Sequence, residues 1–171
     1  MTISMYQASV PVFVQGLKAM SLVLDKAESH CTAKKIDPAA LLGARLIADM
    51  FPASRQFQIA CDFAKGVNAR LAGIEVPTWE DNEKTIADLK ARIKKTIDYV
   101  EGFKPSQIDG SEGRDIALKI AGNPVTFKGQ PYLLGFGLPN FYFHSAAAYS
   151  ILRANGVDIG KRDFLGPVPG M

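Results

Sequence analysis

The sequence predicts an all-α fold, an up-down four-helix bundle with a small β-hairpin in the long connection between the third and fourth helices. Three observations carry that expectation. Apolar residues recur every three to four positions over four long stretches, capping and stop residues bracket those stretches, and only the segment from Lys104 to Pro139 changes to an alternating period. A chain of 171 residues, 47% hydrophobic and 22% charged, can bury a core without disulfides or a structural metal, so residues 1–171 are expected to form one domain.

In the first stretch Met5, Ser9, Val12, Gly16, Met20, Leu24 and Ala27 mark one face of a helix from about Ser4 to Ser29, with Pro11 in its early turns or kinking it. Asp37-Pro38 offers an N-cap and a proline at the first helical position. The second helix is expected to run from there to about Leu71, bent at Pro52 and closed by Gly73, with Met50, Ala53, Phe57, Ala60, Ala64, Val67 and Leu71 as its apolar stripe. Thr78 and Asp81 have capping-box spacing ahead of a third helix whose seam is Ile86, Leu89, Ile93, Ile97 and Val100, ending near Gly102. Ile116, Leu118 and Ile120, then Val125 and Phe127, alternate around Gly122-Asn123-Pro124, which predicts the hairpin. The fourth helix begins near Pro139-Asn140 and stops at Asn155-Gly156, and the tail through Gly166-Pro167 reads as loop.

Several function classes are disfavoured by composition. Twenty basic and 17 acidic residues leave a formal charge of +3, and the densest basic run (Lys90, Arg92, Lys94 and Lys95) is interleaved with Leu89, Ile93 and Ile97 as a solvated helix face would be. No aromatic residues alternate with it, so no nucleic-acid partner is expected. The N-terminal residues lack a basic leader, no apolar run reaches the length of a membrane span, and a cytoplasmic location is expected. Cys31 and Cys61 form no CxxC and read as free thiols. His30 and Cys31 are adjacent on a helix and so point about 100° apart, which argues against a nucleophile and base pair. Gly135-Phe136-Gly137 lacks the spacing of a phosphate loop.

Polar residues on inward faces are the candidates for function. At 100° per residue, Arg55, Gln58 and Asp62 fall opposite the stripe of the second helix and are expected in solvent. Asp49 lies about 40° from the stripe centre and Gln56 about 60°. On the fourth helix His144 joins Phe141, Ala148, Ile151 and Leu152 on the inward face, with Asn140 one turn before it. A carboxylate and an imidazole facing one core need partners. Three arrangements would supply them: a structural His144 bonded to Asp49, Tyr149 or Asn140; a small-molecule pocket between the second and fourth helices, lined by Gln56, Asn140 and Tyr149; or a metal on His144 and Asp49, two ligands where catalytic zinc normally has three. In an enzyme, His144 would move the proton, Asp49 would orient it, and Tyr149 or Asn140 would donate to substrate.

The run Asp49-Met50-Phe51-Pro52, Arg55-Gln56, and Gln58 to Gly66, followed by Ala69 to Gly73, resembles the second helix of a domain-of-unknown-function family in the DinB/YfiT-like clan. The late segment Leu138-Pro139-Asn140-Phe141-Tyr142-Phe143-His144, Ala148-Tyr149, Ile151-Leu152-Arg153 and Asn155-Gly156-Val157, ending in Gly160-Lys161 and Asp163 to Gly166, is similar to that family's closing motif. The resemblance implies a DinB-like bundle, often a homodimer, in a clan of metal-binding proteins that includes thiol-dependent transferases and isomerases. Its usual site is one histidine on the second helix and an HxxxH pair on the fourth. His144 matches the first of that pair, Ala148 stands at the second, and Asp49 falls near the helix-two position, so the implied metal site is degenerate. The expectation is a protein of unknown activity that binds a small molecule in a polar pocket. Its rivals are a metal-dependent enzyme of thiol-transferase or hydrolase type, holding zinc or nickel, and a non-enzymatic dimer using the hairpin or the Phe-rich start of the fourth helix as its contact surface.

Overall fold

Ser4 starts the chain's longest helix by accepting from the Gln7 N–H while the Gln7 side chain accepts from the Ser4 N–H, a reciprocal cap. The computed structural model describes residues 2–168. This first helix, α1 (Met5–Lys34), carries Pro11 inside it and extends past the expected end to Lys35, which caps it in the left-handed conformation. Its length and hydropathy alone would suffice for a membrane span, but Phe13, Leu17, Leu24 and Ala27 are buried in the bundle instead.

The expected second helix is two. Asp37 caps α2 (Pro38–Gly43), as its sequence predicts. The chain then leaves helical geometry at Ala44 and re-enters it only at α3 (Ala53–Ala72), with Pro52 extended as the N-cap residue. Phe51 is disfavoured from helical backbone by the proline after it. The intervening loop closes on itself, because the Ala53 N–H donates to the Ala44 carbonyl and Arg45 donates to the Met50 carbonyl. Pro52 therefore ends a loop rather than bending a continuous helix.

An extended connection leads to α4 (Ile86–Glu101), which is capped reciprocally by Thr85 and Asp88 rather than by Thr78 and Asp81. Short α5 (Pro105–Ile108) precedes the hairpin of β1 (Asp115–Ile120) and β2 (Asn123–Lys128), antiparallel in the register Ile116 to Phe127 and Leu118 to Val125. Its two-residue turn places Ala121 and Gly122 both at positive φ, as a type I′ turn requires. From Gly129 the chain is helical without interruption through α6 (Gly129–Tyr132), a π-helical turn (Leu133–Gly137) and α7 (Leu138–Ala154). The tail, expected as loop, contains α8 (Lys161–Leu165), held against α1 by a Lys26–Asp163 ion pair and a Gln15 bond to the Leu165 carbonyl.

The four long helices α1, α3, α4 and α7 form the bundle. α3 packs chiefly on α7, and α1 on α4; α3 also packs on α4, which closes the bundle around Phe13, Leu17, Phe57, Leu71, Leu89, Ile93 and Phe141. Phe13 and Phe141 meet edge to face at 5.1 Å across α1 and α7.

Candidate functional site

The α3–α7 interface holds the one histidine on a core-facing stripe. Gln56, 1% exposed in the first turn of α3, accepts from His144 Nδ1 at 2.7 Å. The other end of the same amide is fixed, because Gln56 Nε2 donates to the Phe51 carbonyl at 3.2 Å. That second bond decides the amide's orientation: its oxygen must face the imidazole, and only a protonated Nδ1 can satisfy it. In the neutral ring the proton therefore sits on Nδ1, and Nε2 carries a lone pair that no described side chain occupies and that opens to the surface.

The surroundings favour that neutral form. Burial pushes the His144 pKa below its ordinary value, and the nearby Arg55 guanidinium pushes it in the same direction. Phe63 stacks on the imidazole at 5.9 Å with the planes 18° apart, and Phe143 meets it edge-on at 5.2 Å. The result is a half-buried imidazole fixed in one tautomer, clamped between aromatic rings, with one nitrogen able to accept a hydrogen bond or a proton.

Of the five residues expected to line the pocket, the structure brings Gln56 and His144 together. Asp49 is a correction. It lies exposed on the loop between α2 and α3, and no described hydrogen bond joins it to His144, because the phase carried back through Pro52 does not exist. Asn140 stands one turn before His144 as expected, but its amide donates to the Phe136 carbonyl at 2.7 Å, a helix-internal bond. Tyr149 faces elsewhere. Its ring packs on Phe164 and its hydroxyl reaches the Ile159 carbonyl, beside an apolar slot with Met20 and Phe141 that has room for about 20 Å³. Phe63 and Arg55 belong to the site and were not singled out; Phe63 lies seven residues after Gln56, a spacing that returns to the same helix face.

The other side of α3 also departs from expectation. Arg92, read as part of a solvated run, is 4% exposed and is gripped by Asp62 (2.9 Å), Asp81 (2.9 Å), Glu83 (2.9 Å) and the Glu80 carbonyl (3.0 Å). Gln58 is buried and donates to Glu83, Arg55 pairs with Asp81, and Lys65 pairs with Asp62. Lys65 and Lys95 sandwich the Trp79 ring, each 4.4 Å from its centroid. This network fastens the connection after Gly73 across α3 and α4. Beneath it, Cys61 is fully buried, and burial pushes its thiol up to about 12 despite the neighbouring Thr96 hydroxyl and Arg92 charge. Both cysteines are free and buried, as a reading without CxxC implies.

A metal centre of the kind the resemblance implies needs a histidine on α3 and a second ligand one turn beyond His144. Asp49, near the first of those places in the sequence, lies exposed on a loop, the buried Ala148 stands at the second, and among the described residues no three His, Cys, Asp or Glu side chains converge as ligands would. The residues present do not fit a three-ligand zinc or nickel site.

A family model matches residues 5–165. The chain belongs to the DUF1993 family, described as a domain of unknown function. Its fold is that of a DinB family member from Shewanella denitrificans, whose crystal structure matches with a TM-score of 0.87 at 39% identity over 96% of this chain and 93% of that one. The resemblance read from the DMFP and LPNFYFH segments is thus confirmed across the whole bundle. Among curated proteins nothing matches.

Proposed function

We propose that this DUF1993 protein binds a small organic molecule at the outer rim of the α3–α7 interface, with His144 Nε2 accepting a hydrogen bond or a proton from a ligand O–H or N–H. The observation that carries the reading is the relay from the Phe51 carbonyl through the Gln56 amide to His144 Nδ1, which leaves Nε2 as the open end. Aromatic faces at Phe63 and Phe143 suit a flat or apolar ligand body. Phenol, titrated into the protein and followed through the His144 ring resonances, is expected to bind more tightly than toluene, which has the same body without a donor. His144→Ala should remove that difference. Equal affinity for phenol and toluene in the unaltered protein would sink the reading.

A second reading has its own support. Ile47 and Phe51 on the loop before α3, and Phe143 on α7, are each more than half exposed and belong to the elements that meet at His144. They suit an apolar contact between two copies of this chain, in keeping with the homodimer that the family resemblance implies. Light scattering at micromolar concentration should then give twice the monomer mass, falling to the monomer mass when Phe143 is replaced by Ser. The cytoplasm remains the proposed location, since two free cysteines suit a reducing compartment.

A further inference from the structure

Along β1 of the hairpin, three cations are assembled without an ion-pair partner among the described residues. Arg70 on α3 lines two crevices that run along β1. One, of about 390 Å³, is walled by Phe63, Phe136, Tyr132 and Leu118 with Lys119 at its edge. The other, of about 260 Å³, contains Arg114. None of these three cations has a carboxylate partner among the described residues, and the acids that border the crevices are committed elsewhere, Asp62 to Arg92 and Lys65 and Asp115 to Lys128.

The two guanidinium groups are also held in place. Arg70 lies on Gly66, where a Cβ would stand 2.6 Å from its Nη1, and it donates to the Tyr132 hydroxyl at 3.1 Å. Arg114 lies on Gly73, whose φ of +70° closes α3 and where a Cβ would stand 1.7 Å from Nη1. Arg70, seated on backbone, bonded to Tyr132 and in ion-pair contact with no described carboxylate, has little orientation left to lose when an anion arrives. Because Tyr132 accepts from Arg70, its own hydroxyl proton is left to donate.

We infer that the crevice between β1 and α3 binds a small molecule carrying an oxyanion, a carboxylate or a phosphate, on an aromatic body. The oxyanion meets the Arg70 fork and Lys119, and the body lies along Phe63 and Phe136. This site is separate from the open nitrogen of His144, which stacks on Phe63 but does not line the crevice.

Calorimetric titration of the full chain with phenyl phosphate, benzoate, inorganic phosphate and toluene tests the inference. Phenyl phosphate or benzoate should bind saturably, more tightly than inorganic phosphate because of the aromatic wall, and the stronger of the two identifies the oxyanion. Arg70→Gln should weaken the better probe by about tenfold and Lys119→Gln by about threefold, whereas Lys94→Gln, at an exposed ion pair on α4, should leave it unchanged. If Arg70→Gln fails to fold, the exposed charge reversal Lys119→Glu takes its place and should weaken binding by about tenfold. Toluene binding as tightly as both anions, no saturable binding of either anion, or an unchanged affinity in the folded arginine or lysine variants would overturn it.

Discussion

Gln56 and Gln58 are two residues apart on α3, both buried, and they point to opposite sides of one helix. Gln58 accepts from Arg55 and donates to Glu83, inside a network where Asp62, Asp81 and Glu83 each pair with Arg92, whose buried Nε alone has no partner among the described residues. Gln56 accepts from His144 and donates to a loop carbonyl, and its relay ends on a nitrogen with no partner among the described residues. The first arrangement is closed and fixes the connection between α3 and α4. The second is open and has capacity left for something outside the molecule. Burial of polar groups alone does not mark a site; what separates the two glutamines is whether the chain satisfies the last atom.

The comparison is broken most forcefully on the closed side. Arg92→Met should leave the largely buried Glu83 without a cation, with Asp62 and Asp81 held only by Lys65 and Arg55, and lower stability by about 3 kcal/mol, read from the urea midpoint, while the His144 ring resonances stay where they are. A shift of the His144 resonances as large as that of the midpoint would show the two sides to be one unit. Gln56→Leu acts on the open side and should cost about 1–2 kcal/mol, since it strands the Phe51 carbonyl and His144 Nδ1. It should also free the imidazole to populate the other tautomer.

The smallest effect is in pH dependence, and its sign follows from the depressed His144 pKa. The unfolded chain takes up a proton on His144 at higher pH than the folded protein does, so the stability from the neutral ring is present in full above the ordinary histidine value. It is lost as pH falls below that value toward the folded pKa. Thermal midpoints between pH 8 and pH 5 should therefore fall more steeply for the unaltered protein than for His144→Asn, with His30 common to both. Parallel curves would remove His144 from the account.

Much of the fold was legible because it rests on local chemistry. Asp37-Pro38, Gly73, Gly122 and Gly156 act within a few residues of themselves, and each stands where its signal places it, although Asn123 and Pro124, expected in the hairpin turn, open β2. The errors share a cause. Helical phase was carried through Pro52, which put Asp49 on an inward face; the break at Ala44 is fixed by loop closure, which periodicity does not encode. Arg92 was assigned to solvent because its partners Asp62, Asp81 and Glu83 come from α3 and the connection after it. Half of the central pair was found through His144 on its apolar stripe, and Gln56 through its angle on α3. Their bond, and the aromatic clamp of Phe63, depend on how two helices 88 residues apart meet.

The central claim concerns one proton on one ring. A two-dimensional ¹⁵N–¹H correlation of the histidine side chains at pH 7 reads it directly. The account predicts a neutral His144 with Nδ1 protonated and Nε2 bare, shifting to the other tautomer in part in Gln56→Leu. An Nε2-protonated or doubly protonated His144 in the unaltered protein at that pH would contradict it.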